Sequence, residues 1–172
     1  QQIANKDLAW IQRYMQAKYV YFSPGSPWIP EYSDEMMSLT LPIDRDLKFV
    51  GGLDIGGGTL QPAAVIGQRG RMSDIRVLRE LSMFDIGIDR FTDNLRAFCQ
   101  TELGITHDQI EFWADPAGEK RDELFETSAI QHMRSKGFNV RAAPTNNIAQ
   151  RRESLVLPMG RLLNTGSGHA LP

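Results

Sequence analysis

Only one cysteine, Cys99, occurs in 172 residues, so no internal disulfide framework can form and the chain suits a reducing compartment. No stretch approaches the roughly twenty consecutive apolar residues that a membrane-spanning helix needs. Nor does a basic-then-apolar signal segment open the chain, so a soluble protein with no membrane partner is expected. An excess of one charge is also missing: 19 Lys and Arg stand against 21 Asp and Glu, for a net charge of −2. That balance gives no overall basicity to announce a nucleic-acid partner, though it leaves room for a local patch. His107, His132 and His169 are too scattered to form a zinc site. The phosphate-loop pattern G-x-x-x-x-G-K-[ST] does not occur, which excludes an ATPase of that type within the sequence. Cys99 falls on the apolar side of FTDNLRAFCQTEL with Leu95 and Phe98, and is read as a buried structural thiol rather than a nucleophile.

What is present is enough for one globular domain: 41% of the residues are hydrophobic, and the length falls in the usual size range for a single core. Residues 1–47 are expected to be a connector or arm. KDLAWIQRYMQAKY has helical spacing, but YFSPGSPWIPEYSDEMM carries Pro24, Pro27 and Pro30, which favour an extended path. From Lys48 the texture changes. KFVGGLDI, PAAVIGQRG and DIRVLRELS are apolar or alternating runs separated by glycine-rich breaks, the pattern of a three-stranded meander. IDRFTDNLRAFCQTEL predicts a helix that stops at Gly104. QIEFWAD predicts a strand, DELFETSAIQHMRSKG a helix closed by Gly137, FNVRAA a strand, and NNIAQRRESLVLPMGRLL a helix kinked or broken at Pro158. The order predicts a mixed α/β sheet, antiparallel at the meander and parallel beyond it, flanked by helices over 48–163, with 164–172 as a flexible tail. Trp113 is expected in the core. A first residue of Gln rather than Met is read as a sign that the domain is a piece of a longer chain.

The chemistry concentrates at strand ends. Asp54 closes its strand in GGLDIGGGT, and Asp115 closes another in FWADPAG. If those strands lie side by side and parallel, the two carboxylates meet at one sheet edge, where their mutual repulsion calls for a divalent cation. Hard oxygen donors favour magnesium or manganese. Gly56, Gly57 and Gly58 leave space for a phosphate to approach the backbone. The plain alternative is that each Asp is a turn residue bonded to nearby backbone. Two independent turns, however, need not converge.

LDIGGGTLQPAAVIG, then FWADPAGEKRDE, then NNIAQRRESLVLPMGRLL together resemble the nuclease domain of the large terminase subunit of tailed bacteriophages, over roughly residues 48–163. The resemblance implies a ribonuclease H-like fold. It also implies a metal-dependent endonuclease that cuts concatemeric viral double-stranded DNA during packaging, with Asp54 and Asp115 as catalytic acids and ligands of two Mg2+ or Mn2+ ions. By the same resemblance the partners are DNA, a packaging ATPase domain reached through the arm, a small terminase subunit and a portal protein, in the cytoplasm of a bacterial host. A third acid, expected near the C-terminus of such domains, is not visible after Glu153; Asp122 or Glu153 is the candidate substitute, or the domain is truncated. Lys120, Arg121, Arg151 and Arg152 are candidate contacts to the DNA backbone, with a solvated surface role as the alternative for each.

DIGGGT is also similar to the first phosphate loop of the sugar kinase, actin and chaperone ATPase superfamily, which would make the chain part of a phosphotransferase or ATPase. That reading leaves DPAG without a job and 172 residues without space for the second domain. A non-catalytic scaffold whose acids are only turn residues is the third reading. A Holliday-junction resolvase of the same fold lacks any dimer signature to support it.

Overall fold

The computed structural model describes residues 29–32, 37–38, 40–55, 60–70, 74–119 and 127–164, with side chains described as far as Met159. Residues 38–154 form one compact unit, and a second gathers 1–37 with 155–172. The expected helix over 6–19 and the proline-rich stretch to Pro27 lie outside the described residues.

Five strands make one sheet. β1 (Lys48–Asp54), β2 (Ala63–Arg69) and β3 (Ile75–Ser82) form the meander, while β4 (Ile110–Ala114) and β5 (Asn139–Ala142) follow after helices. The order across the sheet is β3-β2-β1-β4-β5. β2 runs antiparallel to both its neighbours, and β1, β4 and β5 run parallel. This is the ribonuclease H-like arrangement expected from the sequence. A bulge at Leu78 interrupts the β2–β3 ladder, where the pairing passes from Ile66↔Arg79 to Gly67↔Val77.

Along β1 and β4, alternate residues are buried. Phe49, Gly51 and Leu53 face the core from one strand, and Ile110, Phe112 and Ala114 from the other. Two helices cover that face. α1 (Ile88–Phe98) presents Phe91, Thr92 and Leu95 at helical spacing, and a π-helical turn over Cys99–Leu103 adds Cys99 and Leu103 to the same side. The element stops at Gly104, whose φ of +63° suits a residue without Cβ. α2 (Ala129–Ser135) starts with a reciprocal cap: the Ser128 hydroxyl accepts from Gln131 N–H at 3.2 Å, and the Gln131 side-chain oxygen accepts from Ser128 N–H at 3.3 Å. Ile130 and Met133 carry α2 into the core beside Phe138 and Val140. The part of this helix expected over 122–126 lies outside the described residues.

α1 and α2 are joined on their outer sides by charge. The Asp89 carboxylate meets the Lys136 ammonium and His132 Nε2, the latter at 3.2 Å, and Asp93 meets Lys136 at 3.1 Å. The end of the expected arm is tied to the sheet: Ile43 packs against the core, and the buried Gln68 amide exchanges bonds with both backbone groups of Asp44.

Two expectations need correction. Trp113 is not core. Its parity puts it on the sheet face opposite α1 and α2, 38% exposed, with the Arg141 guanidinium 5.9 Å from its ring centre. Of the kink or break expected at Pro158, the break does not occur: α3 runs from Ile148 to Asn164 with the proline inside it. A proline in a helix interior forfeits one backbone hydrogen bond, and here that loss leaves the element continuous.

Candidate active site at the ends of β1 and β4

The parallel register pairs Leu53 with Ala114, so the next residues along the two strands are Asp54 and Asp115. Neighbouring strands lie about 4.8 Å apart, and residues opposite one another in a parallel pair project to the same face. Leu53 and Ala114 point into the core; Asp54 and Asp115 therefore both leave the sheet on the other side, at the carboxyl ends of their strands. Ligand sites of open α/β sheets gather at such ends.

The two acids differ in their surroundings. Asp54 is exposed, and among the described residues no hydrogen bond or ion pair engages its carboxylate. Asp115 is held. Its Oδ1 accepts from Ala117 N–H at 2.8 Å, and its carbonyl accepts from Gly118 N–H at 2.9 Å as the chain turns into a 3-10 segment over Pro116–Glu119. The turn-residue reading is thus correct for half of this carboxylate. The other half, Oδ2, faces Arg151 Nη1 at 3.5 Å, and the Asp115 side chain keeps 22% exposure.

Arg151 is placed by the start of α3. The Asn147 side-chain oxygen accepts from Ala149 N–H at 2.9 Å and from Gln150 N–H at 3.2 Å, capping the helix. Arg151 follows within the first turn, and its Nη1 also donates to the Asn146 side-chain oxygen at 2.9 Å. Arg152 is partly buried on the same helix, while Glu153 is exposed. Among the described residues no group of three or more His, Cys, Asp or Glu side chains is arranged to hold a metal ion, so Glu153 does not join the two aspartates as a third ligand. Gly56, Gly57, Gly58, Lys120, Arg121 and Asp122 lie outside the described residues.

Two neighbouring carboxylates fit a divalent cation of the magnesium type, which binds through one or two carboxylates and keeps water or phosphate for its remaining positions. The contact between Asp115 and Arg151 is an observation of the same kind, because this carboxylate has already drawn a positive group to its outer oxygen. Cys99 plays no part in the site: it is fully buried, and burial pushes its thiol up to about 11.

Sheet order and strand directions give an α/β fold of the ribonuclease H-like type. No family model matches the chain, and no curated protein does. Among solved structures the chain is similar to the large terminase nuclease domain from bacteriophage SPP1 with bound Mn, at a TM-score of 0.48 and 16% identity over 66% of this chain and 58% of that one. It is also similar to the PPX-GPPA enzyme of Aquifex aeolicus, at a TM-score of 0.37 and 14% identity over 56% of this chain and 36% of that one. An exopolyphosphatase-like protein matches at a TM-score of 0.38 and 16% identity, over 58% of this chain and 34% of the other. The chain spans less than two thirds of the length of each of these structures. Among the described residues, no helix is long and apolar enough to cross a membrane.

Proposed function

We propose that this chain is a divalent-metal-dependent endonuclease domain that hydrolyses double-stranded DNA, the nuclease part of a phage DNA-packaging motor. The observation that carries the reading is the β1–β4 register, whose last pair, Leu53 and Ala114, sets Asp54 and Asp115 next in line at the ends of adjacent parallel strands. Asp54, Asp115 and Mg2+ or Mn2+ form the centre, and the rest of the proposal follows from it: concatemeric viral DNA as substrate, the packaging ATPase, small terminase subunit and portal as partners, and the host cytoplasm as the place of action.

When bound there, divalent metal supplies an activated water for in-line attack on a phosphodiester and stabilises the departing 3′ oxygen. The chain's own residues place the charges. Asp54 and Asp115 would hold the cation, and the Ala117 N–H restrains the Asp115 carboxylate through Oδ1, leaving Oδ2 for it. Arg151 lies close enough to Asp115 to meet a phosphate drawn to the same spot, a contact that positions the backbone and reads no base. Catalysis of this kind is mostly ligand placement and electrostatics.

The experiment is cleavage of supercoiled plasmid by the chain with Mn2+ or Mg2+, beside Asp54→Asn and Asp115→Asn. Nicking and linearisation that require the metal, and that fall at least a hundredfold in each variant, are expected. Full activity in either variant refutes the assignment.

A further inference from the structure

The Arg151 guanidinium lies close to Asp115 without being firmly bonded to it. Its Nη1 is 3.5 Å from Oδ2, whereas a charge-assisted hydrogen bond between such groups closes to about 2.8 Å. The firm bond from the same nitrogen goes to Asn146 at 2.9 Å. Arg151 is 57% exposed on its side chain, and its backbone is fixed within the capped first turn of α3, where its N–H donates to Asn147 carbonyl at 3.0 Å. A fixed backbone with a loosely held, exposed head group lets the guanidinium change partners without moving the helix. Asp115 does not depend on Arg151 for its orientation, since Ala117 N–H holds Oδ1. Removing the arginine therefore leaves the carboxylate aimed as before.

We infer that Arg151 is an exchangeable counter-ion: it neutralises Asp115 Oδ2 before a divalent cation enters, competes with that cation for the same oxygen, and on displacement offers its planar fork to a phosphate of the DNA backbone. The inference rests on the nuclease reading of Asp54 and Asp115. A guanidinium carries five donors in a rigid fork matched to phosphate, so the group released from a carboxylate is already suited to the incoming ligand. Cation and DNA then assist one another through one side chain, and linkage requires the effect to be reciprocal. Arg151 is a positioning residue in this scheme, acting on the cation through Asp115 and on the substrate through its phosphate. Asn146 holds it at rest.

The test uses calorimetric titration of Mn2+ into the full chain without DNA, and duplex binding by fluorescence anisotropy in EDTA and in Ca2+. Arg151→Gln should bind Mn2+ more tightly, by about threefold to tenfold, because the competing charge is gone. The same variant should lose about threefold to tenfold in duplex affinity in Ca2+ while changing little in EDTA, where the arginine rests on Asn146 with Asp115 as its counter-charge. Asn146→Ala, which frees the guanidinium from its resting bond, should shift Mn2+ affinity, leaving the charge of Arg151 in place; Arg151→Lys should restore most of the wild-type Mn2+ affinity. Equal or weaker Mn2+ binding by Arg151→Gln overturns the inference and leaves the nuclease reading standing. Absence of Mn2+ binding in the wild-type chain overturns both.

Discussion

Replacing Gly51 with alanine should destabilise the protein, although alanine is the better strand residue. Gly51 faces the core in β1, opposite Phe112 of β4, and the Phe112 ring is completely buried. A Cβ at position 51 would fall against Phe112 Cδ1 and within 2.5 Å of Cε1. The ring is shut off from solvent, with the Phe138 ring centre 5.9 Å away and Val140 paired beside it on β5, so a swing meets packed core. Overpacking of this kind costs about 1–3 kcal/mol. The gain from replacing glycine in a strand offsets roughly 0.5–1 kcal/mol of it. A net loss of about 1–2 kcal/mol remains, which for a chain of this size lowers the melting temperature by roughly 2–8 °C. Gly52 is the internal control. It is one residue further along, on the exposed face, and a Cβ there meets nothing within 4 Å; Gly52→Ala should be neutral or stabilising by up to about 1 kcal/mol. Adding Phe112→Leu to Gly51→Ala should recover part of the loss, so that the double variant is less destabilised than the sum of its parts. Thermal melts followed by circular dichroism decide the matter. A Gly51→Ala protein that melts at or above the wild-type temperature refutes the packing argument and returns the glycine to some other role.

The site predicts a contrast between its two acids: Asp54→Ala should change unfolding free energy by less than about 0.5 kcal/mol, whereas Asp115→Ala strands the Ala117 N–H and should cost about 0.5–1.5 kcal/mol in urea titrations. Cys99 should resist iodoacetamide in the native protein at pH 8, where a thiol raised to about 11 is only about one-thousandth thiolate, and should react promptly once urea exposes it. Asp89→Asn should lower the melting temperature at neutral pH. The Lys136 ammonium, hydrogen-bonded to Asp89, holds that carboxyl below its ordinary 3.8, so its contribution is present above that value and is lost as pH falls through the lower folded value. Lys136 is raised above 10.5 by the same bond and by Asp93, so its contribution holds below 10.5 and is lost as pH rises through the folded value. The gap between wild type and Asp89→Asn should therefore close at both extremes and shrink with added salt.

Much of the fold was legible because local signals and tertiary context agree. Glycine-bounded apolar runs mark the meander, and the helical periodicity of IDRFTDNLRAFCQTEL marks α1 and the π-helical turn after it, which stops at the left-handed Gly104. Asp54 and Asp115 were legible as strand ends, but their neighbourhood follows only from the β1–β4 register, which local sequence does not encode. Trp113 was misplaced because aromatic size suggested burial, while parity argued otherwise: in IEFWAD the residues that share a side with Asp115 are Glu111 and Trp113. Reading the alternation outward from the acid would have found it. The role of Gly51 was hidden for a related reason, since its obstacle is a ring on a strand far away in sequence. The approach of Arg151 to Asp115 depends on where α3 begins, and the signal for that start, Asn147 two residues before Ala149, was available in TNNIAQ and passed over.

If the proposed nuclease reading holds, the parallel pairing of β1 with β4 also bears on when the protein becomes active. Antiparallel strands of the meander can zip from a nearby turn, but β1 must wait for β3, α1 and the π-helical turn to be made before β4 can settle beside it. Contacts between distant parts of a chain form late and slowly. A ribosome that has released β1 through α1 has made a partly built sheet with one acid at its edge and no second acid to share a cation. On the proposed reading the cutting centre is complete only once β4 has closed beside β1, so that a half-folded chain in a cell full of DNA would carry half of it.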